Sequence, residues 1–257
     1  DPYLMYLHCY ILLLLLVYSE VGALNWTIAT SSTPYEAGYL TSATNNNKLF
    51  VMGGHDHRGP VSFNGVWSSV NGGSTWITSS AAWSERAGLV ALYHNGKIYV
   101  TGGKDSSGTY FHDVWSSGDE GMTWMEVTAT NPAPWSERWL HTCVVFNNKM
   151  YIIGGYGVGF NSDVWSSSDG GVTWVEVTPD AGWSGRWAHS SVIYDNKIYV
   201  LGGYNGSKTN DIWSSSDGGV NWVEVTGAAA WSARYGHTSV VYNDIIYVMG
   251  GDIASTD

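Results

Sequence analysis

Few side chains in this sequence are suited to bond-making chemistry, and spacing narrows them further. His55-Asp56-His57 is the best metal-like cluster, since imidazole and carboxylate suit zinc, copper or iron. Strand-like alternation would turn both imidazoles to one side. A third ligand would have to come from elsewhere, with His112 the candidate; without it the triplet is a polar loop. Arginine and histidine recur together at Arg138 and His141, Arg186 and His189, and Arg234 and His237, with Arg86 in the same column. A ligand site rarely has the symmetry of a repeat, so these residues are read as scaffold that bonds neighbouring units. A ring of them facing an anionic ligand is the alternative. Arg58 is the only arginine outside the column. No glycine-rich phosphate loop, nucleophile elbow or zinc-binding spacing is present, and no catalytic residue, metal site or cofactor is assigned. The candidate ligand-binding residues are His55, His57, Arg58, Tyr110, His112, Tyr156, Tyr204 and Lys208. Aromatic rings on a charge-poor surface suit stacking on sugars or grasping peptides.

A repeat must position these side chains. Trp67, Trp115, Trp165 and Trp213 are separated by 48, 50 and 48 residues, and Trp76, Trp124, Trp174 and Trp222 keep those spacings. Trp83, Trp135, Trp183 and Trp231 follow at 52, 48 and 48. With Trp26, these columns hold 13 of the 15 tryptophans, which implies a tandem array. Glycine doublets mark the same period: Gly53-Gly54, Gly102-Gly103, Gly154-Gly155, Gly202-Gly203 and Gly250-Gly251. Each unit spells four short strands, exemplified by residues 237–242, 198–203, 163–167 and 174–178. They are rich in the β-branched and aromatic residues that strands favour. Asp-Gly-Gly turns supply the positive φ that a tight hairpin needs.

Four antiparallel strands at this period predict an all-β fold, a β-propeller of four-stranded blades. Such units bury their apolar faces only against neighbours. Complete blades are expected at about 35–78, 86–128, 138–178 and 186–226. A partial fifth is expected at 234–257, with 24–30 as a fourth strand that closes the ring. The loops from second to third strand differ most between units, at 55–62, 104–110, 156–160 and 204–209. Variable loops on a rigid scaffold are where binding usually resides.

The Arg-x-x-His element, the glycine doublet and the two spaced tryptophans together resemble the kelch-repeat family, over essentially all of residues 24–257. The resemblance implies six or seven blades, and hence sequence beyond Asp257; a five-bladed ring is the alternative. A second resemblance overlays the first. Ser117-Asp119-Gly121-Thr123-Trp124 and Ser167-Asp169-Gly171-Thr173-Trp174 look like the Asp-box turns of sialidase-type propellers. Ser215-Asp217-Gly219-Trp222 carries Asn221 in place of threonine, and the first copy has Asn71 in place of aspartate. An Asp-box implies a stabilised turn and no catalysis. Kelch-type copper oxidases resembling galactose oxidase would require a Tyr-Cys cross-link, for which only Cys143 is placed, in a first-strand column otherwise held by Ser191 and Ser239.

Composition bounds the remaining choices. Only 13% of the 257 residues are charged, against about 25% in ordinary domains. The 14% aromatic content argues against disorder. A net charge of −11 disfavours nucleic acid and acidic membranes as partners. Residues 1–23 are read as a secretory signal peptide with its apolar region at 4–17, too short to span about 30 Å of bilayer. An uncleaved anchor is the alternative, because no Lys or Arg precedes the apolar run. Asn25 and Asn205 then become N-glycosylation acceptors. The sequence is expected to encode a secreted module that binds a protein or a glycan through its propeller loops, without inserting in a membrane after cleavage. A propeller enzyme, a copper-radical oxidase or a glycan hydrolase with catalytic residues partly outside this sequence, is the runner-up. A purely structural module of a larger extracellular protein is the third reading.

Overall fold

The computed structural model describes residues 14–17, 25–28, 37–45, 47–56 and 61–253, all of them strand, turn or loop. Leu14–Val17 pairs antiparallel with Asn25–Ile28. The segment expected to close the ring thus forms a strand whose partner, among the described residues, is Leu14–Val17. The rest of the expected signal segment lies outside the described residues. Among those described, no helix is long and apolar enough to cross a membrane.

Four four-stranded antiparallel blades follow, arranged as a β-propeller, and the pairing of Thr209 with Arg234 joins the fourth to the next hairpin in one six-stranded sheet. Blade 1 is Thr41–Asn45, Lys48–Met52, Gly65–Ser69 and Ile77–Ser80. Blade 2 is Val90–His94, Lys97–Thr101, Val114–Ser117 and Met125–Glu126. Blade 3 is Thr142–Phe146, Lys149–Tyr156, Phe160–Ser167 and Val175–Thr178, and blade 4 is Ser190–Tyr194, Lys197–Tyr204, Lys208–Ser215 and Val223–Thr226. Arg234–Tyr242 and Ile245–Ile253 form a further hairpin, corresponding to the expected start of a fifth blade. Second strands such as Lys97–Thr101 are buried beyond their first residue, because neighbouring blades cover both their faces. Fourth strands such as Val175–Thr178 are largely exposed. The apolar clusters lie between blades. One joins Phe50 and Met52 of blade 1 to Ile98 and Val100 of blade 2, and another joins Ile153 and Val164 of blade 3 to Ile198 and Val200 of blade 4. No blade owns a core, so none folds alone.

Each later blade carries the same latch, and it explains three of the repeat columns. Trp135 meets Trp174 edge-on at 6.1 Å, and the Arg138 guanidinium lies 5.6 Å from the Trp135 ring. Arg138 then grips Asp163 with two bonds of 2.7 and 2.8 Å, and Asp163 accepts the indole N–H of Trp165 at 2.8 Å. Arg86 with Asp113 and Arg186 with Asp211 repeat the arrangement. The arginine side chains therefore bond within their own blade, a correction to the inter-blade role expected for them. Their carbonyls make the crossing: Gly54, Gly103 and Gly155 donate N–H to Arg86, Arg138 and Arg186 of the next blade at 2.8–2.9 Å.

The histidines do bond between blades. His141 Nε2 meets Thr101 Oγ1 at 2.8 Å, His189 meets Thr142 Oγ1 at 2.9 Å, and His237 meets Ser190 Oγ at 2.9 Å. A backbone chain runs beside them. Gly88 N–H donates to Tyr39, Leu140 to Gly88, Ala188 to Leu140 and Gly236 to Ala188, at 2.7–2.8 Å. All five residues have φ between 50° and 66°.

At the other end of the blades, the Ser-x-Asp-x-Gly turns close on themselves. Asp119 Oδ1 accepts Thr123 N–H and Ser117 Oγ–H, both at 2.8 Å, and Trp124 Nε1–H donates to the Gly121 carbonyl at 3.2 Å. Asn71 fills the aspartate's place in blade 1 by accepting Thr75 N–H and donating to Thr75 Oγ1, both at 2.9 Å. Asn221 replaces threonine by donating to Asp217 Oδ2 at 2.7 Å.

Candidate functional site

Antiparallel strands place alternate turns at opposite ends of a sheet, so second-to-third loops share an end with the links between blades. Backbone bonds tie the two together. Trp139 and Tyr156 exchange N–H···O bonds of 2.9 and 3.1 Å, and Trp187 and Tyr204 exchange bonds of 3.1 and 3.0 Å. Ala87 and Lys104 do the same at 2.9 Å. The residue that follows each repeat arginine is thereby held beside a loop residue.

Two rows of rings result. In the row from the links, Trp139 and Trp187 stack at 6.1 Å with planes 16° apart, and Trp187 meets Tyr235 at 5.3 Å. In the row from the loops, Tyr110 meets Tyr156 at 6.3 Å, Tyr156 meets Phe160 at 5.3 Å, and Phe160 meets Tyr204 at 6.2 Å. Cross-contacts join the rows: Tyr110 with Trp139 at 6.3 Å, and Tyr204 with Trp187 and Tyr235, both at 5.5 Å. Tyr39 of the first link reaches Trp139 at 5.8 Å. Each such pair contributes about 0.5–1.5 kcal/mol beyond area burial, so the face is rigid before any ligand arrives. Most of these rings are half-buried, and Phe160 is 42% exposed.

The polar tips differ in what they are committed to. Lys208 Nζ donates to Asp252 Oδ1 at 2.9 Å and to the Ile253 carbonyl at 2.6 Å, 5.6 Å from the Tyr235 ring. Burial first, then the Asp252 carboxylate, raises the Tyr235 phenol above its ordinary range. Lys104 Nζ instead lies 5.0 Å from the Tyr110 ring and 5.1 Å from Trp139, with no carboxylate partner among the described residues. The hydroxyls of Tyr110, Tyr156 and Tyr204 and the indole N–H of Trp187 also make no hydrogen bond to the described residues, yet none is sealed from solvent. The surface is pre-ordered, aromatic and tipped with unused donors.

The sequence of repeats, blades and latches has a counterpart among known proteins. A family model described as the KLHDC2/KLHL20/DRC7 Kelch-repeats domain matches residues 40–251. The chain belongs to the kelch-repeat family. This kelch propeller is 25% identical over 145 residues to "Dynein alpha chain, flagellar outer arm" of Chlamydomonas reinhardtii, covering 50% of the chain and 3% of that protein. It is 28% identical over 151 residues to "Kelch domain-containing protein 3" of Rattus norvegicus, covering 53% of the chain and 39% of that protein. The kelch propeller thus spans at most 39% of the length of these two relatives. The solved structure titled "Structure of YjhT" superposes with a TM-score of 0.73 over 90% of this chain and 81% of that one, at 19% identity, a likeness of fold.

Of the residues predicted for ligand binding, the kelch fold brings Tyr110, Tyr156, Tyr204 and Lys208 onto one face. His112 stands apart from it: its ring meets Trp135 edge-on at 6.2 Å and its Nδ1 lies 3.2 Å from the Ala133 carbonyl. His55 pairs with Gly38 and bridges to Ser62. His57 and Arg58 lie outside the described residues. Among the described residues no three His, Cys, Asp or Glu side chains come together as a metal site. Trp139, Trp187, Tyr235, Phe160 and Lys104 are members of the face that sequence reasoning missed. A signal was present: Trp139 and Trp187 are the two tryptophans outside the repeat columns. They sit inside the Arg-x-x-His element, whose recurrence across units reads as scaffold.

Proposed function

We propose that this kelch propeller is a secreted recognition module that binds a protein or a glycan through its aromatic face and performs no chemistry. The observation that carries this is the ordered double row of rings, in which the hydroxyls of Tyr110, Tyr156 and Tyr204, the indole N–H of Trp187 and the ammonium of Lys104 have no hydrogen-bond partner within the described residues. Binding surfaces are enriched in tyrosine and tryptophan because these rings bring large contact area at low entropic cost. Kelch propellers generally mediate protein interactions, which supports the same reading. The signal-like segment and the Asn205 acceptor support export. Asn205 is half-exposed beside Tyr204, in a turn where Ser207 N–H donates to its Oδ1 at 3.2 Å.

The oxidase alternative gains no support from where its residues fall. The Cys143 thiol is half-buried, 3.5 Å from Thr101 Oγ1, and burial pushes its pKa up to about 12, so it is not poised as a thiolate.

The test is a screen of glycan and peptide arrays with protein made in a secretory host. An endoglycosidase-removable glycan on Asn205 is the expected mark of export. Tyr156→Ala and Tyr204→Ala are each expected to weaken binding at least about tenfold, as loss of a central aromatic anchor does. Binding that is unchanged in both variants would remove the site from this face.

A further inference from the structure

We infer that the aromatic face docks an extended, proline-rich segment of a partner protein, with an acidic residue of that segment at the Lys104 end. The inference rests on the recognition reading above and names the partner chemistry.

Three observations carry it. The first is the balance of donors and acceptors. Trp187 Nε1 and Lys104 Nζ only donate, and the phenols of Tyr110, Tyr156 and Tyr204 do either. Of the described carboxylates in these segments, Asp252 is already taken by Lys208 and Tyr235, and Asp105 of the 104–110 loop by Ser107 and Thr109. A donor-rich surface selects a ligand rich in acceptors and poor in donors. A polyproline II segment is that ligand, because every residue keeps a solvated carbonyl and each proline lacks an N–H. A saccharide, whose hydroxyls donate as readily as they accept, would bring donors of its own to a face that has few unused acceptors for them.

The second observation is shape. A polyproline II helix has about three residues per turn and a triangular section, so two of its edges rest on a surface together. The face offers two rows of rings, Trp139–Trp187–Tyr235 from the links and Tyr110–Tyr156 continuing to Tyr204 from the loops. Aromatic-lined grooves accept such helices because both partners are ordered beforehand.

The third is charge. The chain carries −11 overall and repels acidic ligands at long range. Lys104 is a cation on the face without a carboxylate partner among the described residues, held over two ring faces. An acidic side chain arriving there forms a pair that nothing described here already satisfies, which fixes the direction in which the segment lies.

The experiment titrates the whole chain with four probes and follows tryptophan fluorescence. The probes are decaproline with glutamate at one end, decaproline with lysine at that end, a glutamate-capped glycine-serine decapeptide, and a linear neutral hexasaccharide. The glutamate-capped decaproline is expected to bind about tenfold more tightly than the lysine-capped one, and the glycine-serine peptide not at all up to about 1 mM. Tyr156→Phe keeps the ring and removes one donor, so it should weaken binding about fivefold with thermal unfolding unchanged; Trp187→Phe removes the indole donor and part of the ring, and should weaken binding by at least as much. Lys104→Glu should reverse the preference between the two decaprolines. Proline peptides that bind no better than glycine-serine would overturn the inference. If the hexasaccharide alone binds, and loses affinity in Tyr156→Phe, the face is a recognition site but its partner is a glycan. If binding of the proline peptide survives every variant, the segment docks elsewhere.

Discussion

At the scale of single residues, Gly155 shows how tightly the kelch geometry is drawn. Its φ is 103°, and a Cβ there would stand 2.7 Å from the Cβ of His141 and 3.1 Å from the Trp139 carbonyl. His141 in turn holds Thr101 of the preceding blade, while Gly155 itself donates to Arg186 of the following one. A methyl group would therefore strain the backbone and push on joints at both sides. Gly155→Ala is expected to cost roughly 3 kcal/mol, adding a strained φ to overpacking. Gly96→Ala is the control: φ is 79° but nothing lies within 4 Å of the added carbon, so about 1 kcal/mol of strain alone is expected. Urea denaturation of the two variants checks the difference, and equal losses would mean crowding is irrelevant. The doublet was visible in the sequence as a recurring Gly-Gly. Which atoms crowd it was not, because His141 and Trp139 approach only when the second strand lies beside the link.

At the scale of the blade, the Arg–Asp latch is an all-or-none device. Arg138 is fully buried and Asp163 is 17% exposed, so either charge alone would be left poorly solvated. Blade 1 is the exception that fits. Gly54 packs against Ala37 as Gly103 packs against Arg86, so Ala37 holds the arginine's place. Gly65, two residues before Trp67, holds the aspartate's place, and the Trp67 ring fills the space where its side chain would be. Both charges are absent together. Asp163→Ala is thus expected to destabilise by about 3–5 kcal/mol, and Arg138→Met/Asp163→Ala to cost less than the single aspartate change. A double-mutant cycle by chemical denaturation measures this, and strict additivity would contradict it. The spacing of arginine and Asp-x-Trp was legible in the repeat. Their pairing within a blade was not, since sequence order places Arg138 in a link that either neighbouring sheet could have claimed.

At the scale of the molecule, the histidine joints make stability depend on pH. Burial is the main cause that lowers the pKa of His141 well below its ordinary value, His189 to about 3 and His237 to about 4, with the nearby arginines adding repulsion. Unfolded histidine binds a proton near pH 6.5, so between pH 6.5 and about 4 the unfolded chain holds more protons than the folded one. Stability therefore falls as pH drops through that window, by about 1.4 kcal/mol per pH unit for each histidine involved. Asp119, whose hydrogen bonds from Thr123 and Ser117 hold it at about 2, adds a loss only below its unfolded value of 3.8. Denaturation midpoints followed from pH 7 to 4.5 should show the decline, shallower by one proton in His189→Gln. A flat profile would mean that the joints stay intact when protonated.

The sequence by itself determined the architecture: tryptophan and glycine columns at a period near 48 residues specify identical sheets, and identical sheets with apolar faces must stack on each other. It also determined the turn residues and half of the candidate face, because loops that break a repeat stand out from it. Only the tertiary structure decided that Trp139, Trp187 and Tyr235 join Tyr110, Tyr156 and Tyr204, that Lys208 is spoken for by Asp252, and that His112 faces away. The reason is physical. A repeat's period encodes contacts within a blade and with its neighbour, whereas a binding face is assembled from loops and links of different blades, and their meeting depends on how the sheets are rotated about the shared axis.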